Sequence, residues 1–211
     1  MAKQVAVYAI VATIMTLLAG GPVFLLNPLG ATFIALWLLW GIILGLGRSS
    51  GDISVYEKKQ HSFIMLSGVV CFTLMMMAPW EHVYFDGPLP RDGLLPWLGI
   101  VVFAAGLFLQ WWSLKELGSL YTTHLGIQDE HHLITSGPYS LVRHPGYLSS
   151  IVIMLGMALS MGSLIMVVAE MLSTVLIVWR IEGEEEMLVA EFGGEYWEYR
   201  RKTRKLFPYF Y

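Results

Sequence analysis

The chain has 211 residues, of which 56% are hydrophobic and only 14% are charged, and its formal net charge is −3. Soluble domains carry about 25% charged residues, so this composition excludes an ordinary soluble domain and predicts segments that lie in lipid. It also provides no extended basic surface of the kind that binds nucleic acid. We therefore expect residues 1–211 to form a single all-α integral membrane domain.

Long uncharged runs predict the first four spans. Residues 4–47 contain no Asp, Glu, Lys or Arg, and about 20 apolar residues suffice to cross the hydrocarbon core. The turn-like sequence Asn27-Pro28-Leu29-Gly30 divides this run, which predicts two helices joined by a tight hairpin. Residues 60–80 and 93–114 predict the third and fourth spans.

The fifth apolar element is too long for one straight span. Residues 145–180 number 36, which at about 1.5 Å per residue is barely enough for two crossings. Gly162 in the middle predicts a re-entrant or short helical hairpin. The predicted fold therefore has about five transmembrane elements, four spans plus this hairpin, and a cytosolic C-terminal helix. Glu170 inside the hairpin predicts either a functional acid or a hydrogen bond across the hairpin.

The lysines and arginines predict the orientation, because cytoplasmic loops hold an excess of positive charge. If both termini are cytoplasmic, twelve of the thirteen bases lie on that side and only Arg91 lies outside. This split requires residues 145–180 to enter and leave by the same face, as a hairpin does. The five bases within 200–205 are expected to rest on anionic membrane lipids.

Polar residues gather in two segments at the feet of the hairpin, 121–147 and 180–199. A proline directly after His144 suits the first turn of a helix, so His144 is expected near a helix N-terminus that attracts an anion or a polar ligand atom. Arg180 and Glu184 are four residues apart and share a helix face. Together the segments predict one cytoplasmic pocket for a small molecule that carries both charges.

Histidines could suggest a metal site, and four of them lie in or next to these segments: His124, His131, His132 and His144. Their spacings match neither a helical His-x-x-x-His pair nor a zinc finger, and the single cysteine provides no thiolate cluster. We therefore expect no metal and interpret them as hydrogen-bonding groups for an organic ligand. The alternatives are interfacial histidines, a snorkelling Arg180 and a solvated face for the glutamates at 182–186.

A specific set of motifs occupies residues 115–208. It consists of Gly137-Pro138-Tyr139, Arg143-His144-Pro145-Gly146-Tyr147, Arg180, Glu184-Glu185-Glu186, and Phe192-Gly193-Gly194-Glu195-Tyr196-x-x-Tyr199 with Pro208. This set resembles the isoprenylcysteine carboxyl methyltransferase family in its short, prokaryotic type. Residues 1–112 match only as generic spans, and 113–211 would form the cofactor-binding half.

The resemblance implies an integral membrane enzyme that binds S-adenosyl-L-methionine in a cytosol-facing pocket and releases S-adenosyl-L-homocysteine. Its acceptor would be the carboxylate of a lipophilic, isoprenylcysteine-like molecule or lipidated cysteine that enters from the bilayer. Eukaryotic members have additional N-terminal spans, so the acceptor of this chain stays open.

The resemblance also implies the site residues. The family's cofactor contacts fall on His131, His132, Leu133, Ile134, Tyr139, His144, Pro145, Gly146, Tyr147 and Glu184. His124 stands where eukaryotic members have a glutamine, and we expect it to be a further cofactor contact. Arg180 falls on the substrate-carboxylate arginine, and Arg180 and Glu184 are the implied catalytic residues.

Three other functions stay open at this point. Sterol or steroid reductases that use NADPH share an Arg-His motif and a comparable aromatic-glycine tail, although Pro145 and the combination of Arg180 with the glutamate run favour a methyl donor. A phospholipid amine N-methyltransferase would need a base for the amine proton, which Arg180 does not supply. In a non-catalytic membrane scaffold, the polar residues would be interfacial groups only.

Overall fold

A computed structural model of the chain describes residues 2–19, 21–46, 69–70, 73–74, 77–120 and 132–207. Its named helices are α1 (Ala2–Leu18), α2 (Pro22–Leu26), α3 (Pro28–Leu46), α4 (Leu94–Leu117), α5 (Pro145–Met161), α6 (Leu164–Phe192) and α7 (Gly194–Lys202). Residues 77–84 are also helical, and two short 3-10 turns cover Gly118–Leu120 and Gly137–Ser140. Within the described ranges the only extended pairing is one isolated bridge between Val142 and Arg204. The predicted all-helical class is confirmed.

Among the described residues, three helices, α3, α4 and α6, are long and apolar enough to cross a membrane. The second and fourth predicted spans are therefore found as helices. The apolar stretch of α1, Ala6–Leu18, and helix α5 are shorter. The third predicted span, 60–80, lies largely outside the described residues, and its helical end continues past Trp80 to residue 84.

The connection between α1 and α3 differs from the single tight turn predicted at Asn27. The chain bends first at Gly21, whose φ of 75° suits a glycine, and then forms the short helix α2. A second bend follows, where the Leu29 N–H donates to Asn27 Oδ1 at 2.9 Å. Hydropathy could not reveal α2, because its sequence is as apolar as the spans on either side.

The predicted hairpin turn at Gly162 is confirmed. Gly162 ends α5 with a φ of 55°, and Ser163 Oγ accepts from the Met166 N–H at 3.0 Å to cap α6. The second arm does not end near Arg180 as predicted, since α6 continues as one 29-residue helix. The predicted cytosolic C-terminal helix is divided at Gly193 between the end of α6 and α7.

A glutamate from the helical residues 77–84 holds the turn of the hairpin. Glu81 is buried, and its carboxylate accepts from the backbone N–H groups of Leu164 (3.0 Å) and Ile165 (3.1 Å) and from the Ser163 hydroxyl. An acid at this position pairs with donors that a helix leaves unsatisfied in its first turn. The start of α6 is therefore fixed from outside the hairpin.

Helices α4 and α5 approach each other closely. A Cβ added to Gly99 or Gly156 would overlap backbone atoms of the facing helix, and such small residues allow two helix backbones to pack together in a membrane. Nearer the site, the buried Ser149 hydroxyl donates to Gln110 Oε1 at 2.7 Å. This packing fixes the beginning of α5, and with it His144, relative to α4.

Candidate functional site

The site forms where α5 begins and the polar half of α6 passes it. His144 is the N-cap residue of α5, and Pro145 occupies the first helical position. This is the arrangement that the sequence predicts for a proline, whose missing N–H is harmless there. His144 is buried, so its imidazole lies inside the junction of the two helices.

Tyr147 connects the two polar residues predicted to share a face of α6. Its hydroxyl accepts from Arg180 Nε at 2.6 Å and donates to Glu184 Oε2 at 2.8 Å. The Arg180 guanidinium also lies 5.9 Å from the centre of the Tyr147 ring, within the range of a cation–π contact. A cation, a phenol and a carboxylate are thus joined in a row, which we call the polar relay.

The His144 imidazole lies between two glutamates. Nδ1 is 3.8 Å from Glu184 Oε1, and Nε2 is 3.3 Å from Glu185 Oε1. Because a carboxylate only accepts hydrogen bonds, Nε2 carries the proton that faces Glu185. The Glu184 side chain is 28% exposed and that of Glu185 only 6%, so the first acid is the more accessible to a ligand.

Arg143 and Glu185 form a buried ion pair that sequence reasoning missed as part of the site. Nε of Arg143 lies 2.7 Å from Glu185 Oε1, whereas from the sequence Arg143 served for the orientation and as part of a motif, and neither residue was given a role in the site. One signal could have revealed this pair. Consecutive helical residues point about 100° apart, so three glutamates in a row cannot all face solvent on a helix that packs against α5.

The C-terminal tail, residues 203–207, follows α7 and packs against the start of α5. The Arg143 and His144 N–H groups donate to the carbonyl oxygens of Arg204 (2.8 Å) and Lys205 (3.2 Å). Leu206 is buried in an apolar cluster whose other buried members are Ile151 and Ile181. The N–H of His144, which the sequence leaves open for a ligand, is therefore already occupied by the tail. The donors left in the first turn of α5 are the next N–H groups along the chain.

Two of the remaining predicted cofactor residues, Gly146 and Tyr139, have different surroundings. A Cβ added to Gly146 would meet no described atom within 4 Å, so there is open space at the first turn of α5. Tyr139 is buried in the turn Gly137–Ser140, and its carbonyl accepts from the Tyr199 hydroxyl at 2.7 Å. Burial raises the pKa of Tyr199, so this phenol stays protonated and acts as a donor.

The other predicted residues precede that turn. His132 is exposed and Leu133 and Ile134 are half-buried in an irregular segment. This segment is anchored on α4 through the Ser136 hydroxyl, which donates to Glu116. His124 and His131 lie outside the described residues, and their assignment stays a prediction.

Glu170 is separate from this cluster. Its Oε1 accepts from the Thr174 hydroxyl at 2.9 Å, so this hydrogen bond is made within α6 rather than across the hairpin. Its Oε2 is buried and has no hydrogen-bond partner among the described residues. Ten residues of helix, or about 15 Å, separate it from Arg180, which places it well away from the polar relay.

Known proteins resemble the chain over the part that holds the site. The isoprenylcysteine carboxyl methyltransferase (ICMT) family model matches residues 97–190. A probable protein-S-isoprenylcysteine O-methyltransferase of Oryza sativa subsp. indica is 31% identical over 148 residues, which cover 67% of this chain and 75% of that protein. The cobalt-zinc-cadmium resistance protein CzcN of Cupriavidus metallidurans is 32% identical over 141 residues, which cover 66% of this chain and 60% of that protein.

A solved structure shares the architecture. The match to the eukaryotic intramembrane Ras methyltransferase ICMT covers 98% of this chain and 75% of that chain, with a TM-score of 0.58 and 19% sequence identity. The family model begins at residue 97, inside α4, and so includes a helix that the sequence alone treats as a generic span.

Proposed function

The chain belongs to the isoprenylcysteine carboxyl methyltransferase family, and from that membership we propose that it methylates the carboxylate of a lipophilic, isoprenylcysteine-like acceptor with S-adenosyl-L-methionine as donor. Membership makes it a membrane methyltransferase, and the names of its relatives support the acceptor class. The observation that carries the proposal is the polar relay, in which Tyr147 holds a cation and an acid side by side.

The residues at the start of α5 fit this cofactor. S-adenosyl-L-methionine carries a sulfonium, an ammonium, a carboxylate and ribose hydroxyls. Glu184 is a partly exposed acid, the Tyr147 ring is an aromatic neighbour, and there is open space beside Gly146. We assign the cofactor's cationic and hydroxyl groups to Glu184, Tyr147 and His144. The remaining contacts would be made by His124, His131, His132, Leu133, Ile134, Tyr139, Pro145 and Gly146.

When bound, the cofactor supplies a methyl group already activated on sulfur. The chain therefore has to position the donor and the acceptor and to stabilise their charges. A carboxylate acceptor has a reference pKa of about 4, so it is ionised at neutral pH and needs no general base. Arg180 pairs with that carboxylate, and because Tyr147 holds Nε, the guanidinium plane has a defined direction.

The acceptor enters from lipid in this proposal. Leu172, Val175 and Trp179 are exposed apolar residues on one face of α6, spaced three and four residues apart. They lead along the helix to Arg180. This surface supports a route by which an apolar chain stays in the bilayer while its carboxylate reaches the guanidinium.

We propose that the site and both termini face the cytoplasm. Arg91, the one base expected outside, lies at the Gly162 turn and donates from Nη1 to the His82 carbonyl at 2.8 Å. Arg143 and Arg180 lie at the opposite end of the hairpin arms. This separation supports the predicted orientation, in which S-adenosyl-L-methionine enters from the cytosol and the five bases within 200–205 rest on anionic lipids.

Ligand-dependent melting tests the cofactor. We expect S-adenosyl-L-homocysteine to raise the melting temperature of the purified full chain, because a ligand that binds only the folded state stabilises it. NADPH is the comparison ligand. Stabilisation by NADPH alone would contradict the methyl-donor assignment.

Transfer of a labelled methyl group tests the acceptor. The panel contains farnesylcysteine analogues, lipid acids and lipid amines, presented in vesicles with the full chain. We expect label on the prenylated and lipid carboxylates as a base-labile ester. Label found on the amines alone would replace the carboxylate assignment with N-methylation.

A further inference from the structure

Glu184 and Glu185 are neighbours in sequence with different surroundings. Glu184 faces the Tyr147 hydroxyl and is partly exposed, whereas the Glu185 carboxylate is enclosed by three cationic or ionisable groups. Oε1 lies 2.7 Å from Arg143 Nε and 3.3 Å from His144 Nε2, and Oε2 lies 3.5 Å from Arg200 Nη2. The buried acid therefore connects α5, α6 and α7 at one point.

The Arg143 side chain extends this connection to the tail. Besides the ion pair, its Nη1 donates to the Thr203 carbonyl at 2.7 Å and lies 3.4 Å from the Arg200 carbonyl. The tail in turn accepts from the Arg143 and His144 backbone N–H groups. Side chain and backbone together hold the N-cap residue of α5, His144, and the residue before it.

His144 is the residue on which these contacts converge. Its Nε2 is held by Glu185, its N–H by the Lys205 carbonyl, and its carbonyl accepts from the Leu148 N–H at 3.1 Å. Nδ1 is then the ring nitrogen turned toward Glu184 and the polar relay. The direction of Nδ1 thus depends on the partner of Nε2, as for any imidazole held by one of its two nitrogens.

We propose that Arg143 and Glu185 are positioning residues that orient His144 in the cofactor pocket. Together with the tail residues 203–206 they form a set of contacts around His144 that we call the clamp. The inference rests on the proposed function. The polar atoms of Arg143 and Glu185 are already bound to each other, to His144 and to the tail, so we assign neither side chain a contact with the ligand. They act through His144. The basic tail helps to hold His144 in place, in addition to any contact that it makes with lipid.

A double-mutant cycle tests this clamp in the purified full chain. The dissociation constant for S-adenosyl-L-homocysteine is measured for the wild type and for Glu185→Gln, each with and without His144→Ala. With His144 present, we expect Glu185→Gln to weaken binding about tenfold, the effect of losing one charge-assisted hydrogen bond. With His144→Ala, the same change is expected to alter affinity by less than about twofold, because coupled residues are not additive.

Glu186→Gln is the matched control, because it makes the same change one residue away at an exposed position. We expect it to leave affinity unchanged. If Glu185→Gln does not fold, Arg143→Lys takes its place, because lysine keeps the charge but cannot bond the carboxylate and the tail together. It is expected to give the same pattern.

The outcomes separate the inference from the proposed function. Equal losses with and without His144 would show a structural role and overturn the inference, as would wild-type affinity in the Glu185→Gln or Arg143→Lys variant. Wild-type affinity in His144→Ala would overturn it as well. A wild-type protein that does not bind S-adenosyl-L-homocysteine would overturn the proposed function and the inference with it.

Discussion

Arg180 donates a 2.6 Å hydrogen bond from Nε to the Tyr147 hydroxyl, which joins the polar half of α6 to the first turn of α5. The same hydroxyl gives its own proton to Glu184. One phenol thus holds a cation and an acid that are a helical turn apart on α6. In the proposed reaction we assign these two charges separate roles, Arg180 for the acceptor and Glu184 for the cofactor.

Removing this phenol should weaken both roles. Tyr147→Phe keeps the ring but removes two hydrogen bonds to charged groups, each worth about 1.5–3 kcal/mol. We expect affinity for S-adenosyl-L-homocysteine to fall about tenfold and kcat to fall further, because Arg180 also loses its direction. Isothermal titration and initial rates measure the two effects. The matched control is Tyr84→Phe, an exposed tyrosine, and equal results for the two variants would contradict the assigned role of Tyr147.

Arg180→Ala should separate binding from turnover. Arg180 is assigned to the acceptor carboxylate and not to the cofactor, so we expect S-adenosyl-L-homocysteine affinity to stay within about threefold of wild type. The value of kcat/KM for a carboxylate acceptor should fall about a hundredfold or more, since one charge-stabilising donor is typically worth 10²–10³ in rate. Arg201→Ala, on the exposed side of α7, is the control. Unchanged turnover in Arg180→Ala would refute the assignment.

Much of the fold follows from hydropathy, and its misses have physical reasons. Uncharged runs located α3 and α4, and the glycine at 162 located the hairpin turn. The continuation of α6 past Arg180 was missed because a helix that leaves the apolar layer changes composition without changing its backbone hydrogen bonding. The division at Gly193 carries a local signal, the Gly193-Gly194 pair, which the prediction of a single C-terminal helix did not use.

The candidate site also has residues that the sequence predicted and residues that it missed. Residues with a local sequence signature, such as His144 before a proline and Arg180 four residues before Glu184, are brought together by the structure. Arg143 and Glu185 belong to the same motifs, but a motif does not show which partner each side chain takes. Which of several glutamates is buried depends on how α6 is rotated against α5, and that rotation is set by packing across the whole helix pair.

The close approach of α4 and α5 predicts that a methyl group added at Gly156 lowers the stability of the protein. In Gly156→Ala the added Cβ would overlap the backbone of Phe103, and overpacking typically costs about 1–3 kcal/mol. We expect the melting temperature to fall by about 2–12 °C, from about 2–4 °C per kcal/mol for a chain of this size. Gly194→Ala is the control, because its Cβ would meet nothing within 4 Å. A fall of the same size in both variants would show that contact with α4 is not the cause.

The hairpin turn offers a test of stability without a change in the site. Glu81→Ala leaves the N–H groups of Leu164 and Ile165 without their acceptor, and losing such a cap typically costs about 0.5–2 kcal/mol. We expect the melting temperature to fall by about 1–8 °C. Affinity for S-adenosyl-L-homocysteine should stay within about twofold, because the 17 residues of α5 separate the turn from His144 by about 25 Å.

Two comparisons make the test of Glu81 decisive. Glu81→Gln keeps one side-chain oxygen as an acceptor, so its melting temperature should lie between those of wild type and Glu81→Ala. Asp86→Ala removes an acid from an exposed position five residues away, and should melt with wild type because a surface acid without such contacts contributes little. If Glu81→Ala melted with Asp86→Ala, the carboxylate would not be stabilising α6. If it lost affinity for S-adenosyl-L-homocysteine while staying folded, the two ends of the hairpin would be coupled, and the site would depend on more than the junction of α5, α6 and the tail.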